Sequence, residues 1–168
     1  MSSFSVIIPA FNSALSIESA INSCLNQSLK PYEIIVIDDC STDNTVNVVR
    51  DIQSRLKCET LVRLLSTNIN SGAATARNIG WNISVGDYVA FLDSDDQWHP
   101  LKLESIHAVL HKNVNIRVLG HCNENSATQT SLMQMSRLSI LIKNFTITPN
   151  LILRNDIEER FDENMRYT

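Results

Sequence analysis

The sequence predicts an α/β domain, a mostly parallel central sheet flanked by helices. Three observations predict it. Strand-like and helix-like stretches alternate over roughly the first 110 residues, the pattern of parallel strands joined by helical crossovers. Two of the strand-like runs, 33-EIIVIDD-39 and 87-DYVAFLD-93, are apolar almost without alternation, as strands covered on both faces are. Polar residues gather where the runs end, and open α/β sheets bind their ligands at the carboxyl ends of the strands.

The elements follow in order. The first strand is 4-FSVIIPAF-11, ending in Pro9–Asn12. A helix is predicted over 14-ALSIESAINSCLNQS-28, because Ile17, Ala20, Ile21, Cys24 and Leu25 keep the i, i+3, i+4, i+7, i+8 spacing of one apolar face. The second strand ends in Asp38 and Asp39. The helix after it, 43-DNTVNVVRDIQSRLK-57, turns Val46, Val49, Ile52 and Leu56 inward, with Ser41, Thr42 or Asp43 as its cap. The third strand is 60-TLVRLLST-67 and the third helix 73-AATARNIGWNIS-84. The fourth strand ends in Asp93, Asp95 and Asp96. The fourth helix follows Pro100, a residue suited to a first helical turn, with Leu103, Ile106 and Leu110 on one side. Beyond about residue 113 the pattern weakens. There 114-VNIRVLGH-121 reads as a strand, 123-NENSATQT-130 as a polar loop, 131-SLMQMSRLSILIKNF-145 as apolar but ambiguous, and 146-TITPNLILRN-155 as a strand beyond Pro149.

Composition narrows the function. The chain has 168 residues, of which 43% are apolar and 19% charged, enough for one domain with a real core. A formal net charge of −4 gives no electrostatic case for nucleic acid or an anionic membrane. Cys24, Cys40, Cys58 and Cys122 form no CxxC pair, which fits reduced thiols in a cytoplasmic protein. No signal peptide and no membrane-spanning run is predicted.

Three stretches carry chemistry. In 93-DSDD-96, three carboxylates stand within four residues at the end of a buried strand. A turn or a helix cap explains one Asp; three like charges raise one another's pKa and call for something positive. Oxygen ligands without nearby Cys favour Mg²⁺ or Mn²⁺, and Mg²⁺ completes its shell from water and substrate phosphates, so the cluster implies a phosphorylated ligand. A lone neighbour, His99, does not make a zinc site. In 36-VIDDCSTDNT-45, a carboxylate at the strand tip can accept from a nucleobase N–H or a ribose hydroxyl, although Asp is also common at such turns. In 68-NINSGAATARNIG-80, Gly72 and the helix start favour anions and Arg77 could reach a phosphate. Alone, that stretch reads as a tightly packed Ala/Gly helix with a solvated Arg. His107 and His111 share a helix face but lack the carboxylate of a metalloprotease pattern.

Taken in order, 5-SVIIPAFN-12, 33-EIIVIDDCSTDNT-45, 71-SGAATARNIG-80 and 86-GDYVAFLDSDD-96 resemble the nucleotide-binding half of a family 2 glycosyltransferase with the GT-A fold. The resemblance implies transfer of a sugar, of hexosyltransferase type, from a nucleotide-sugar to an acceptor hydroxyl with inversion, in bacterial polysaccharide or glycan synthesis. It implies that Pro9, Ala10 and Phe11 line the nucleoside pocket and that Asp38 bonds the base. Gly72 and Arg77 lie along the nucleotide and its diphosphate. Asp93-Ser94-Asp95 is the DxD motif, with Asp95 as chief ligand of Mn²⁺ or Mg²⁺, Asp93 facing ribose and donor sugar, and Asp96 supporting the edge. The implied partners are a UDP-sugar before other nucleotide-sugars and a glycan or lipid-linked acceptor, reached from the inner face of the membrane. Residues 1–112 are then the nucleotide-sugar part and 113–168 the start of the acceptor side. A general base is expected beyond Thr168, because the acidic pair that supplies it in relatives follows a segment resembling 161-FDENMRYT-168. The sequence therefore predicts truncation ahead of the base. Glu158–Glu159 and Asp162–Glu163 read as a solvated acidic turn.

Three other readings compete. A binding remnant would hold a nucleotide without turnover. A sugar nucleotidyltransferase would want a Gly-rich, Arg-containing loop after the first strand, where 9-PAFNSA-14 stands. A phospho-receiver would carry its acidic pair after the first strand rather than the second.

Overall fold

The computed structural model describes residues 2–56, 60–113, 116–120 and 151–164. A six-stranded sheet has the order β3-β2-β1-β4-β6-β5. Its strands are β1 (Phe4–Ala10), β2 (Glu33–Asp38), β3 (Leu61–Ser66), β4 (Tyr88–Phe91), β5 (Val118–Gly120) and β6 (Leu151–Arg154), with helices α1 (Ile17–Leu25), α2 (Thr45–Arg55), α3 (Ala73–Asn82) and α4 (Lys102–Lys112) between them. The first four strands run parallel, in registers that set Ala10 beside Asp38 and Asp38 beside Ser66. β6 enters antiparallel to both β4 and β5. The expected α/β fold with a mostly parallel sheet is thus observed. Of the later predictions, the strands near 114–121 and 146–155 appear as the shorter β5 and β6, while 123–130 and 131–145 lie outside the described residues.

Alternation along the strands divides the core. Val6, Ile8, Ile34 and Val36 face α1, α2 and α4 through Ile21, Val49 and Leu103. Ile7, Ile35, Ile37 and Phe91 face α3 through Trp81 and Ala76. Helix α3 lies close to the sheet because residue 80 is glycine: a Cβ there would lie 2.5 Å from Ile7 Cγ2. The amino ends of the strands are tied by Glu33, which is 1% exposed and accepts from Ser5 Oγ at 2.7 Å, Val85 N at 2.9 Å and Arg63 Nη1 at 2.9 Å.

Three helix starts differ from expectation: α1 begins at Ile17, three residues after Ala14. α2 begins at Thr45, and Asp43 Oδ1 accepts from Thr45 N at 2.9 Å, so the Asp caps from just outside the helix. α4 begins at Lys102, which places Pro100 ahead of the first turn.

Candidate functional site

At the carboxyl ends of β1, β2 and β4 lies an open cleft of about 290 Å³, lined by Pro9, Ala10, Phe11, Asp39, Ala73, Arg77, Asp93, Ser94 and Asp95. Eight of the nine are explained by strand ends and one helix start: β1 delivers Pro9–Phe11, the end of β2 delivers Asp39, β4 leads into Asp93–Asp95, and α3 opens with Ala73. The polar clusters predicted to converge on one edge of the sheet do so.

The acidic pair after β2 is divided by the sheet. The sequence reading gives the nucleobase contact to Asp38. In the structure Asp38 is 2% exposed, and its Oδ1 has no hydrogen-bond partner among the described residues. Side chains alternate between faces, and Asp38 continues the Ile34–Val36 side, toward α1 and α2. Asp39 falls to the α3 side and borders the cleft. Its carboxylate accepts from Thr67 Oγ1 at 3.0 Å, Ser71 N at 3.0 Å and Gly72 N at 2.6 Å. The backbone N–H groups ahead of α3, expected to face an anion from outside, therefore already hold an internal carboxylate. Gly72 has φ +91° and ψ 160°, a region essentially reserved for glycine, and nothing lies within 4 Å of where its Cβ would be. Backbone conformation, not close approach, is what requires glycine there.

The β1 end is held by the loop after β2. Asn12, with φ 49°, accepts from Thr42 N at 2.8 Å and donates its backbone N–H to Ser41 Oγ at 2.9 Å. Phe11, 48% exposed, stands as an aromatic ring at the mouth of the cleft. Cys40, a non-glycine residue at φ 62°, is the other left-handed turn of this rim.

Arg77 is not a solvated side chain. It is 6% exposed, its Nη2 reaches Asp93 Oδ1 at 2.5 Å, and its guanidinium lies 5.7 Å from the Phe161 ring centroid. Asp93 thus shares its charge with a buried cation before any ligand arrives. Ser94 Oγ shares a hydrogen bond of 2.7 Å with Ser13 Oγ. Asp96 N donates to Asp93 O at 3.1 Å, closing the turn and leaving Asp95 and Asp96 exposed. Partial desolvation against the turn, followed by the like charges of Asp93 and Asp95, raises the Asp96 carboxyl above its ordinary range although the residue as a whole is exposed. Among the described residues, no group of three or more His, Cys, Asp and Glu side chains forms a ready cage for an ion. The donor set nevertheless fits a hard cation held jointly by one or two carboxylates and by ligand oxygens.

Asn78 escaped the sequence reading. It is 5% exposed; its Nδ2 donates to Phe161 O at 2.9 Å and Glu163 Oε1 at 2.8 Å, and its Oδ1 accepts from Phe161 N at 2.9 Å. The available signal was a polar residue spaced i+4 from Ala74 and i−3 from Trp81, on the apolar stripe of α3. Glu158 and Glu159 are exposed, as expected, whereas Glu163 is engaged by this amide.

A mostly parallel sheet with a strand-end cleft carrying carboxylates, one arginine and an aromatic ring places the chain among the open α/β folds, which take their ligands at the carboxyl ends of the strands. More specifically, the family model described as glycosyl transferase family 2 matches residues 5–162, and the chain belongs to that family. It is 41% identical over 102 residues to the UDP-Glc:alpha-D-GlcNAc-diphosphoundecaprenol beta-1,3-glucosyltransferase WfaP of Escherichia coli, an alignment covering 60% of this chain and 38% of that protein. The crystal structure of S. aureus TarS 1-349 superposes with a TM-score of 0.72 at 27% identity, covering 98% of this chain and 52% of that one. TarS 1-349 in complex with UDP-GlcNAc superposes with a TM-score of 0.68 at 26% identity, covering 91% and 45%. The fold is GT-A, and the chain spans between about four-tenths and half of the length of these relatives.

Proposed function

We propose that this chain carries the donor site of an inverting, metal-dependent glycosyltransferase that takes a hexose from a UDP-sugar for bacterial polysaccharide or glycan synthesis. The observation that carries the reading is the meeting, in one cleft, of Phe11, Asp39, Arg77 and the Asp93–Asp95 turn. Family membership and a fold shared with a UDP-GlcNAc complex support it. Pro9, Ala10 and Phe11 bound the nucleoside, with the Phe11 ring as its stacking surface. The carboxylate for the base and ribose comes from the acidic pair: Asp38 keeps an unpartnered Oδ1, and Asp39 borders the cleft with its oxygens engaged by Thr67, Ser71 and Gly72. Gly72 shapes the helix start over which the nucleotide lies, and Arg77 holds Asp93 in place at the diphosphate end. Asp95, exposed, and Asp93 are the residues that would hold Mn²⁺ or Mg²⁺. Such an ion, when bound, supplies Lewis-acid stabilisation of the departing diphosphate.

In an inverting transfer the acceptor oxygen attacks the anomeric carbon, the bond to the diphosphate oxygen breaks, and the acceptor proton passes to a base. The base is assigned to the acceptor side. Residues 1–112 act as the donor part and 113–168 begin the acceptor part. The acceptor is a glycan or lipid-linked saccharide, and the site of action is the cytoplasm, at the inner membrane surface. Among the described residues no helix is long and apolar enough to cross a membrane.

Titration calorimetry with UDP, with and without Mn²⁺, tests the reading. Asp95→Asn is expected to weaken Mn²⁺-dependent UDP binding strongly, while Asp51→Asn, on the exposed side of α2, leaves it unchanged. Equal effects of the two substitutions would refute the donor site.

A further inference from the structure

The chain between Asp93 and Leu103 is fastened to the α1 region at both ends. At the acidic end the fastening is the Ser13–Ser94 hydroxyl pair. At the far end it is a set of bonds from the last turn of α1 and the residues just beyond. Gln27 lies there, 0% exposed, and every hydrogen-bonding group of its amide is directed. Nε2 donates to Ser23 O at 3.0 Å and His99 O at 2.9 Å, and Oε1 accepts from Leu103 N at 3.0 Å. Ser23 Oγ accepts from Trp98 N at 3.1 Å, and Ser28 N donates to Pro100 O at 2.9 Å.

The chemistry of position 27 is specific. The segment offers a carbonyl at His99 and a first-turn N–H at Leu103, and a primary amide supplies one donor and one acceptor to match. Flipping the amide would set its NH₂ against the Leu103 N–H and its oxygen against two carbonyls. A carboxylate would repel both carbonyls, and a thioether would leave the Leu103 N–H without an acceptor and take the amide donor from both carbonyls, His99 O keeping only its bond from Lys102 N at 3.0 Å. Leu103 N belongs to the first turn of α4, whose N–H groups have no partner within the helix. Gln27 therefore caps α4 from just beyond the end of α1. In doing so it fixes where the acidic segment ends.

We propose that Gln27 is a positioning residue for the acidic turn: by holding His99 and Leu103 to the end of α1, it sets the place at which Asp93 and Asp95 are presented to a diphosphate and its cation. The proposal rests on the reading of the cleft as a nucleoside diphosphate site. A turn fixed at both ends enters the complex already ordered, and ordering it at binding would otherwise lower affinity.

The experiment compares wild type with Gln27→Met, Gln27→Glu and Ser23→Ala, the last removing the acceptor of the Trp98 N–H together with the hydroxyl's own bond to Ala20 O. Val49→Ala, which loses core packing under α2 without touching 98–103, controls for lowered stability. UDP affinity is measured by calorimetry with Mn²⁺ and with EDTA, on samples shown to be folded by circular dichroism. Both Gln27 variants are expected to weaken Mn²⁺-dependent binding about tenfold, to change metal-free binding less than about twofold, and Ser23→Ala to show a smaller change of the same sign. Val49→Ala should leave both affinities as they are. Equal losses with and without Mn²⁺, or wild-type affinities in the Gln27 variants, would overturn the proposal. Hydrogen exchange at residues 94–98 reads the same constraint without a ligand. It should quicken in Gln27→Met and Ser23→Ala but not in Val49→Ala, and unchanged exchange overturns the proposal independently. A wild type that binds no UDP would overturn the donor-site reading instead.

Discussion

Replacing Asp93 by Ala leaves the Arg77 guanidinium without its carboxylate, in a place where the Arg77 side chain is 8% exposed and its Nε already lacks a partner among the described residues. Replacing Arg77 by Met leaves Asp93, whose side chain is 30% exposed and within reach of water. The two losses are therefore unequal. Removing one member of a buried pair costs about 3–5 kcal/mol when the other charge stays dry, and water access through the vacated Asp93 position puts Asp93→Ala near the lower end, about 3 kcal/mol. Arg77→Met keeps much of the packing on Phe161 and strands only a hydratable carboxylate, so its cost is about 1 kcal/mol. The double variant contains no unpaired buried charge and should be more stable than Asp93→Ala alone. For a chain of this size about 1 kcal/mol corresponds to 2–4 °C in Tm, so Asp93→Ala should melt roughly 6–12 °C below wild type. Urea unfolding of wild type, both single variants and the double variant supplies the cycle. A double variant as unstable as the sum of its parents, or Arg77→Met at least as unstable as Asp93→Ala, would refute the reasoning.

Two further outcomes follow from the geometry. Gly72→Ala is expected to cost about 1–3 kcal/mol, because the penalty lies in a φ of +91° and not in crowding; urea unfolding checks it, and a neutral variant would mean the backbone relaxes freely. Burial lowers Lys102 to about 8 from an ordinary 10.5. Between those values the unfolded chain holds more protons than the folded one, so stability rises with pH. Cys24, raised by burial from 9.0 to about 12, acts in the opposite sense only above 9. From pH 8 to 9, wild type should therefore gain stability relative to Lys102→Met, as read by urea midpoints; parallel profiles would contradict this.

The parts of the molecule that the sequence revealed are those set by local periodicity. Strand alternation and the i, i+3, i+4 stripe of α1 place Pro9–Asn12, Asp38–Asp39 and Asp93–Asp96 at one sheet edge without knowledge of any contact. That Asp39 and not Asp38 takes the N–H groups ahead of α3 was not legible, because it depends on which sheet face carries α3. Nor was the fate of Arg77, whose partner lies sixteen residues further on, across a crossover. Asn78 pairs with a segment 83 residues away. The antiparallel entry of β6 likewise depends on a long return of the chain, whereas helix-joined parallel strands announce themselves by their spacing.

Arg77 and Asn78 are consecutive, so they leave α3 about 100° apart, one toward the cleft and the other toward Phe161–Glu163. This fixes the helix against rolling. An atom about 6 Å from the axis travels roughly 1 Å when the helix turns by about 10°, enough to carry a hydrogen bond out of its working range. With two such attachments in different directions, and Gly80 pressed against Ile7, no small rotation of α3 preserves both. Movement at the cleft and movement of the chain around Phe161 are thereby one mechanical event, transmitted by a rigid rod shorter than three turns.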